Sequence, residues 1–262
     1  MPRFNRTSIP PHPNMARAWT RDKEQASSAE DQIPETPPEG VEIYTDDNPP
    51  PGPIFNYWCQ RYSLFTRYDE GVWITRSGWF EVTPEKVARK IADHVLHSPV
   101  ETVLDVFCGI GGNAIQFALS PSCKRVIAVD KDQTAIDCAR HNARIYGVLD
   151  KIEFIVDDVF RLIEERDPRL AADAVFMSPP WGGPSYRNFG VFDLDALEPY
   201  SGAHLVEQAQ KISPNFALYL PRTSDLNQIA KMVPGPRVQA IHYCVRQRSK
   251  ALTVYAGCLS KV

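Results

Sequence analysis

From Glu101 onward, short apolar runs alternate with stretches of helical period, and the last two runs follow one another with only a brief polar connection. Strands are expected at 102–107, 125–129, 152–156, 174–177 and 216–220, with helices at 111–119, 133–146, 204–212 and 225–232. Two closing strands are expected at 238–245 and 251–259. Alternating units of this kind build a parallel sheet with helices on both faces. Parallel neighbours need a long crossover, so a closing pair without one requires an antiparallel strand at the end. The chain is therefore expected to be α/β, with a mostly parallel seven-stranded sheet and an antiparallel last strand.

The N-terminal quarter differs. Residues 1–53 hold about half of the 23 prolines, five Lys/Arg and nine Asp/Glu, and their larger apolar residues follow no period. Such a stretch cannot bury a core, and it reads as a disordered, acidic, Pro-rich tail. Between Ile54 and Phe80 the composition reverses: Phe55, Tyr57, Trp58, Tyr62, Phe65, Tyr68, Trp73, Trp79 and Phe80 crowd together, with Arg61, Arg67 and Arg76 among them. Tyr57, Trp58, Tyr62 and Phe65 lie near helical spacing, so a short helix is expected. Most of these rings suit packing, and a minority suits the wall of a pocket for a planar ligand. Thr83-Pro84-Glu85 then has the pattern of a helix start, with Thr as N-cap and Pro at the first helical position. Residues 54–98 are thus expected to form a small helical N-terminal extension, and 99–262 the main domain.

Charge and cysteine usage narrow the function. The overall charge is −3, and removal of the acidic tail leaves 24 basic and 23 acidic residues in 54–262. Proteins that hold long nucleic acid by its backbone carry a clear basic excess. A small ligand or a strictly local contact fits this balance better. The six cysteines contain no C-x-x-C pair and have irregular spacings, so no metal site is expected. No run of 18 apolar residues and no apolar leader are present, which suggests an intracellular protein without a membrane partner.

Three motifs carry chemistry. The first strand runs into Asp105-Val106-Phe107-Cys108-Gly109-Ile110-Gly111-Gly112. Glycines there allow a tight turn and close approach of a ligand to a helix N-terminus. The pattern is G-x-G-G, and Asp105 precedes it by four residues. A carboxylate so placed repels a pyrophosphate and attracts an ammonium, directly or through water. S-adenosylmethionine, with an ammonium and no phosphate, is favoured over a dinucleotide. Asp130 ends the second strand, where ribose hydroxyls lie in nucleotide-binding sheets, although an Asp there can also cap the next helix. Asp158, after the third strand, offers an acceptor for an adenine amine, with a helix N-cap as the alternative.

The most specific motif is Ser178-Pro179-Pro180-Trp181-Gly182-Gly183-Pro184 after the fourth strand. Two prolines stiffen the backbone and leave carbonyls fixed and free to accept. A planar amine held there is oriented for attack, and Trp181 offers a surface on which a cationic ring stacks well. The alternative is a rigid loop with a core Trp. In-line methyl transfer needs proximity and orientation more than a strong base. His94, His97, His141, His204 and His242 are scattered and suit packing or surface positions. Together these features indicate a Rossmann-like class I methyltransferase acting on a nitrogen of a planar base.

The stretches 78–85 (GWFEVTPE), 105–118 (DVFCGIGGNAIQFA) and 178–184 (SPPWGGP) jointly resemble the trimethylguanosine synthase family, and the resemblance extends from about Asn56 to the C-terminus. It implies methylation of the exocyclic 2-amino group of a 7-methylguanosine cap on small nuclear and nucleolar RNAs, to the 2,2,7-trimethylguanosine cap, with S-adenosylmethionine as donor. By position, it implies that Trp181 stacks on the methylated guanine and that Ser178 and Pro179 hold the amine. The cofactor set it implies comprises Asp105, Asp130 and Asp158, the turn residues Phe107, Gly109, Gly111 and Asn113, Ser178, and Phe65 and Thr83 from the extension. Arg222 resembles a contact to the cap phosphates. Asn56 stands where the family often has a lysine, and Glu81 where a small serine is expected, so both make the supposed anion site less positive. The implied partner is 7-methylguanosine-capped RNA, contacted at the cap, with small ribonucleoprotein components as further candidates. A monomer in the nucleus or nucleolus, or in the cytoplasm, is the implied setting. Two readings compete: an amino methyltransferase for another base or an amide, which would ignore the 7-methyl group, and a non-catalytic RNA-binding module, which would not bind cofactor.

Overall fold

The computed structural model describes residues 33–97, 99–182, 190–197, 199–233, 238–245 and 248–261. The chain divides into two units, Met1–Thr36 and Pro37–Val262. All that follows concerns the second. Of the tail expected over residues 1–53, residues 1–32 lie outside those described.

Seven strands form one sheet: β1 Thr102–Val106, β2 Arg125–Asp130, β3 Ile152–Val156, β4 Ala174–Met177, β5 Phe216–Pro221, β6 Val238–Val245 and β7 Arg248–Ala256. Their order across the sheet is β3-β2-β1-β4-β5-β7-β6. The pairings of β1 with β2 and β4, of β2 with β3, and of β4 with β5 are parallel. β7 runs antiparallel to both β5 and β6, as the missing crossover requires. The chain leaves β1 towards β2 on one side and places β4 on the other. The carboxyl ends of β1 and β4 therefore flank the point where strand order reverses, where open α/β sheets form a crevice.

Nine helices lie among the described residues: α1 Phe55–Trp58, α2 Arg61–Leu64, α3 Gly78–Glu81, α4 Glu85–Val95, α5 Gly112–Leu119, α6 Gln133–Ile145, α7 Val159–Glu164, α8 Gly202–Ile212 and α9 Leu226–Met232. Strand alternation divides the core into two layers. On one face Val103, Val126, Ala128 and Phe176 pack with Val87, Ile91, Ile115, Phe117, Ile136 and the aromatics of the extension. On the other, Leu104, Val106, Ile127, Val129 and Val175 pack with Leu162, Leu205 and Ile229. Asp105, between Leu104 and Val106, points by the same alternation to the face that carries the extension.

Two expectations are corrected. The tail boundary expected at residue 53 lies too late, because Val41 and Tyr44 are buried in the core and the Tyr44 ring lies 6.1 Å from that of Trp79. Thr83 does not cap α4. Pro84 occupies the cap position without a side-chain hydrogen bond, and the Thr83 hydroxyl instead accepts from Asn113 Nδ2 at 3.0 Å. Glu85, in the first turn, accepts from the Thr66 amide at 2.6 Å and from Tyr146 at 2.6 Å. The residues that look like a helix start tie the extension to α5 and to the end of α6.

Asn142 on α6 makes the strongest of these ties. It is fully buried; its Oδ1 accepts from Trp73 N at 2.8 Å, and its Nδ2 donates to Trp73 O at 2.9 Å and Ile110 O at 3.1 Å. The neighbouring His141 stacks flat on Trp73 at 3.6 Å. Asn142→Leu would leave three backbone groups without these partners, at roughly 1–3 kcal/mol each. A fall in Tm of about 10 °C or more is expected in thermal unfolding, at roughly 2–4 °C per kcal/mol.

Candidate active site

The crevice at the carboxyl ends of β1 and β4 holds a cavity of about 290 Å³. One wall is the glycine turn. Gly109 and Gly111 have φ of 52° and 86°, in the left-handed region that favours glycine. A Cβ on Gly111 would lie 3.1 Å from Ala139 Cβ, so this glycine lets α5 approach α6. A Cβ on Gly112 would lie 2.6 Å from Val82 Cγ2, so here the extension sits directly on the turn. Phe107 is a non-glycine residue at φ 63°, a conformation costing on the order of 1–3 kcal/mol. This backbone turn brings Phe107 into the cavity wall, 5.9 Å from the Phe160 ring and 6.3 Å from that of Tyr200.

Asp130 organises the turn. Its Oδ2 accepts from Gly109 N at 2.9 Å and its Oδ1 from Asp132 N at 3.0 Å. The cap of α6 is Asp132, which accepts from Thr134 N and Ala135 N, so Asp130 is not the helix cap and lines the cavity. Beneath the turn lies Asp105, fully buried, whose carboxylate oxygens make no well-formed hydrogen bond and have only the Ala114 amide as a weak donor. Burial, and then the nearby Asp130 charge, push its carboxyl well above the usual range, against a weaker pull from the Ala114 amide. Asn113 is similar: its Nδ2 is held by Thr83, and its buried Oδ1 has no partner. Unpartnered buried acceptors behind a cavity suit a cationic ligand and do not suit a phosphate. The residues present therefore fit a cofactor that carries an ammonium.

A second wall follows β4. Ser178, Pro179, Pro180 and Trp181 all line the cavity. The Trp181 indole donates to Tyr219 O at 3.3 Å, and its ring lies 5.3 Å from the Tyr219 ring at 33°. Trp181 is half-buried, packs against both core layers and is anchored to β5, while one side of it lines the cavity. The last two residues of that motif, Gly183 and Pro184, lie outside the described residues.

A third wall is the extension, through Tyr57, Phe80, Glu81 and Thr83. Tyr57 and Phe80 meet edge to face at 4.9 Å. Glu81 is exposed by surface area, yet the protein around it raises its carboxyl by desolvation, with the Ser77 hydroxyl opposing and the Asp130 charge reinforcing the rise.

Of the expected site residues, Glu81, Thr83, Phe107, Gly109, Asn113, Asp130, Ser178, Pro179 and Trp181 meet at this cavity. The others stand apart from its wall. Phe65 is buried against Tyr146, with ring centroids 6.2 Å apart. Gly111 and Asp105 support the turn from behind. Asp158 accepts from Phe160 N at 2.9 Å and caps α7, which is the alternative reading of that residue. Asn56 is exposed on α1, one residue from Tyr57. Arg222 is half-buried just past β5, on the same edge of the sheet as Ser178. Cys108, Lys131 and Ser77 also line the cavity and were not singled out. The first two adjoin named motif residues, which is the signal that marks them; Ser77 carries none. Among the described residues no group of three or more His, Cys, Asp or Glu is arranged to hold a metal.

Comparison with known proteins agrees with this geometry. Residues 100–259 match the family model described as RNA cap guanine-N2 methyltransferase. The trimethylguanosine synthase of Schizosaccharomyces pombe is 43% identical over 187 residues, covering 70% of this chain and 76% of that protein. That of Saccharomyces cerevisiae is 40% identical over 185 residues, 69% of this chain and 58% of the yeast protein. In fold, the chain resembles a solved structure of a candidate methyltransferase from Porphyromonas gingivalis W83, with a TM-score of 0.60, 14% identity, and coverage of 92% and 59% of the two chains.

Proposed function

This chain belongs to the RNA cap guanine-N2 methyltransferase family, and on that premise we propose that it methylates the exocyclic amine of a 7-methylguanosine cap twice, giving the trimethylated cap of small non-coding RNAs. The class of the enzyme, an S-adenosylmethionine-dependent cap guanine-N2 methyltransferase, follows from family membership. The acceptor's 7-methyl group, the two rounds and the RNA targets are the proposal. The observation that carries it is a Trp181 ring standing in the same cavity as Ser178 and Pro179.

S-adenosylmethionine, when bound, supplies an electrophilic methyl group on a positively charged sulfur. Asp130 would hold ribose hydroxyls, and Asn113 Oδ1 with Asp105 would hold the ammonium, the latter directly or through water. The Ser178 hydroxyl and the Pro179 carbonyl accept hydrogen bonds from the guanine amine, which raises electron density on its nitrogen and fixes its direction. Pro180 follows without an N–H, so no backbone donor at that position competes for the amine. Trp181 stacks on the base, and a positive charge on the ring strengthens the stack by about 1–2 kcal/mol. That corresponds to roughly a tenfold preference for the 7-methylated base. Arg222, on the same sheet edge, is placed for the phosphate chain that follows the base. The nucleus is the setting in which such RNAs are capped and modified, and it is the proposed location.

Labelled methyl transfer to 7-methylguanosine triphosphate, with guanosine triphosphate as control, tests this reading. Expected is a kcat/KM at least about tenfold higher for the methylated nucleotide and a product carrying two added methyl groups. Equal transfer to both would remove the charge-sensing role of Trp181.

A further inference from the structure

Among the described residues, four charged side chains line the cavity: Glu81, Asp130, Lys131 and Asp132. Asp130 is bound to the amides of Gly109 and Asp132, and Asp132 to those of Thr134 and Ala135. Both acids are thus occupied in shaping the glycine turn and the start of α6. Glu81 differs. It ends the short helix α3, beside Phe80, whose ring packs on Tyr57, and these three residues form the part of the wall contributed by α1 and α3. Its next two neighbours are fixed at the glycine turn, Val82 by close approach to Gly112 and Thr83 by Asn113. The backbone of Glu81 is therefore fixed where aromatic walls and the turn meet, and its carboxylate lines the cavity, where nearby protein raises the cost of its charge.

We propose that Glu81 is a specificity-determining residue for the acceptor base: its carboxylate favours a positively charged, 7-methylated guanine over the neutral base. This rests on the reading of the cavity as the site of a 7-methylguanine. In that reading two terms add. Stacking on Trp181 responds to the ring's charge through the aromatic quadrupole, and Glu81 responds to it through direct attraction across a partly desolvated cavity. The same carboxylate disfavours phosphates, so discrimination rises while the anchoring of the cap's phosphate chain weakens. A serine at this position would supply neither effect.

The test uses nucleosides, which remove the phosphates from the comparison. Binding of 7-methylguanosine and of guanosine to the full chain is measured calorimetrically, with S-adenosylhomocysteine present, for the wild type and E81Q, and separate titrations follow with the two triphosphates and with each form of the cofactor. The exposed side chain makes this neutral, equal-sized replacement compatible with folding. The expected result is a loss of about fivefold in affinity for 7-methylguanosine, with guanosine unchanged within about twofold. Equal changes for both nucleosides, or none, would overturn the proposal. So would an E81Q variant that gains affinity only for the triphosphates, because Glu81 would then act on the phosphate chain. A drop in S-adenosylmethionine binding relative to S-adenosylhomocysteine, with an unchanged nucleoside ratio, would assign Glu81 to the cofactor and equally overturn it. Failure of the underlying reading looks different: the wild type itself would neither bind nor methylate the 7-methylated base.

Discussion

Replacing Trp181 with alanine is expected to lower affinity for 7-methylguanosine nucleotides by about 100-fold and to cut the preference over guanosine nucleotides to the roughly fivefold share that Glu81 supplies. Base–aromatic stacking is worth roughly 1–3 kcal/mol per base, and the ring's positive charge adds about 1–2 kcal/mol in a desolvated stack. A factor of ten corresponds to about 1.4 kcal/mol. Cofactor affinity should change by less than about threefold on the same scale, because Asp130, Asn113 and the glycine turn do not depend on the indole. Fluorescence or calorimetric titration with each nucleotide, in parallel with S-adenosylhomocysteine, separates the two. Trp181→Phe is informative beside it. It keeps a π-face and loses the bond to Tyr219 O, so it should retain the charge preference with weaker binding. If the alanine variant selects the methylated base as strongly as the wild type does, Trp181 is not a charge sensor.

Asp105→Asn is expected to act in opposite directions on cofactor binding and on the stability of the free protein. Neither oxygen of this fully buried carboxyl makes a well-formed hydrogen bond. Its folded-state pKa is raised by burial and by Asp130, so the folded protein holds a proton that the unfolded chain releases above about 3.8. Stability of the free wild type should therefore decline as pH rises from there through the raised value. The asparagine variant should lack this part of the decline and be the more stable protein at neutral pH. Binding of a cationic ligand favours the charged carboxyl and should release a proton. Loss of one charge-assisted contact, about 1.5–3 kcal/mol, predicts a 10- to 100-fold weaker cofactor. Urea unfolding at pH 5 and pH 8, together with S-adenosylmethionine titration in two buffers of different ionisation enthalpy, reads both effects. Unchanged cofactor affinity would mean that Asp105 only supports the turn.

Those residues show how much of the molecule was legible in the sequence. The sheet was readable because its strands are apolar runs separated by helical periods, and the reversal at β7 followed from the shortness of the connection before it. The glycine turn, Asp130 and the Ser-Pro-Pro-Trp wall were readable because their backbone demands restrict residue type. What was not readable depends on contacts between distant segments. Thr83 has the local pattern of a helix cap, and only the approach of Asn113 gives its hydroxyl another partner. Asp158 fits two local readings, a cap and an adenine acceptor; the amide of Phe160 meets the first through Oδ1, and the second depends on a ligand that no local pattern reveals. Phe65 is one aromatic among nine in the extension, and nothing in their spacing separates those that face the core from those, such as Tyr57 and Phe80, that face the cavity.

The ties made by Asn142 bear on what counts as a module in this protein. The recognisable family signature begins at residue 100, yet Asn142 within it has its hydrogen-bonding groups engaged with Trp73 and Ile110. A chain cut at the signature's edge would lack Trp73, Trp79 and Ile91, which pack in the same core layer as Val103 and Phe176. The unit that natural selection can move, duplicate or fuse is thus larger than the unit that sequence comparison outlines. An inherited fragment that carried the signature alone would keep the glycine turn and the Ser178–Trp181 wall, and would lack the facing wall of Tyr57, Phe80, Glu81 and Thr83.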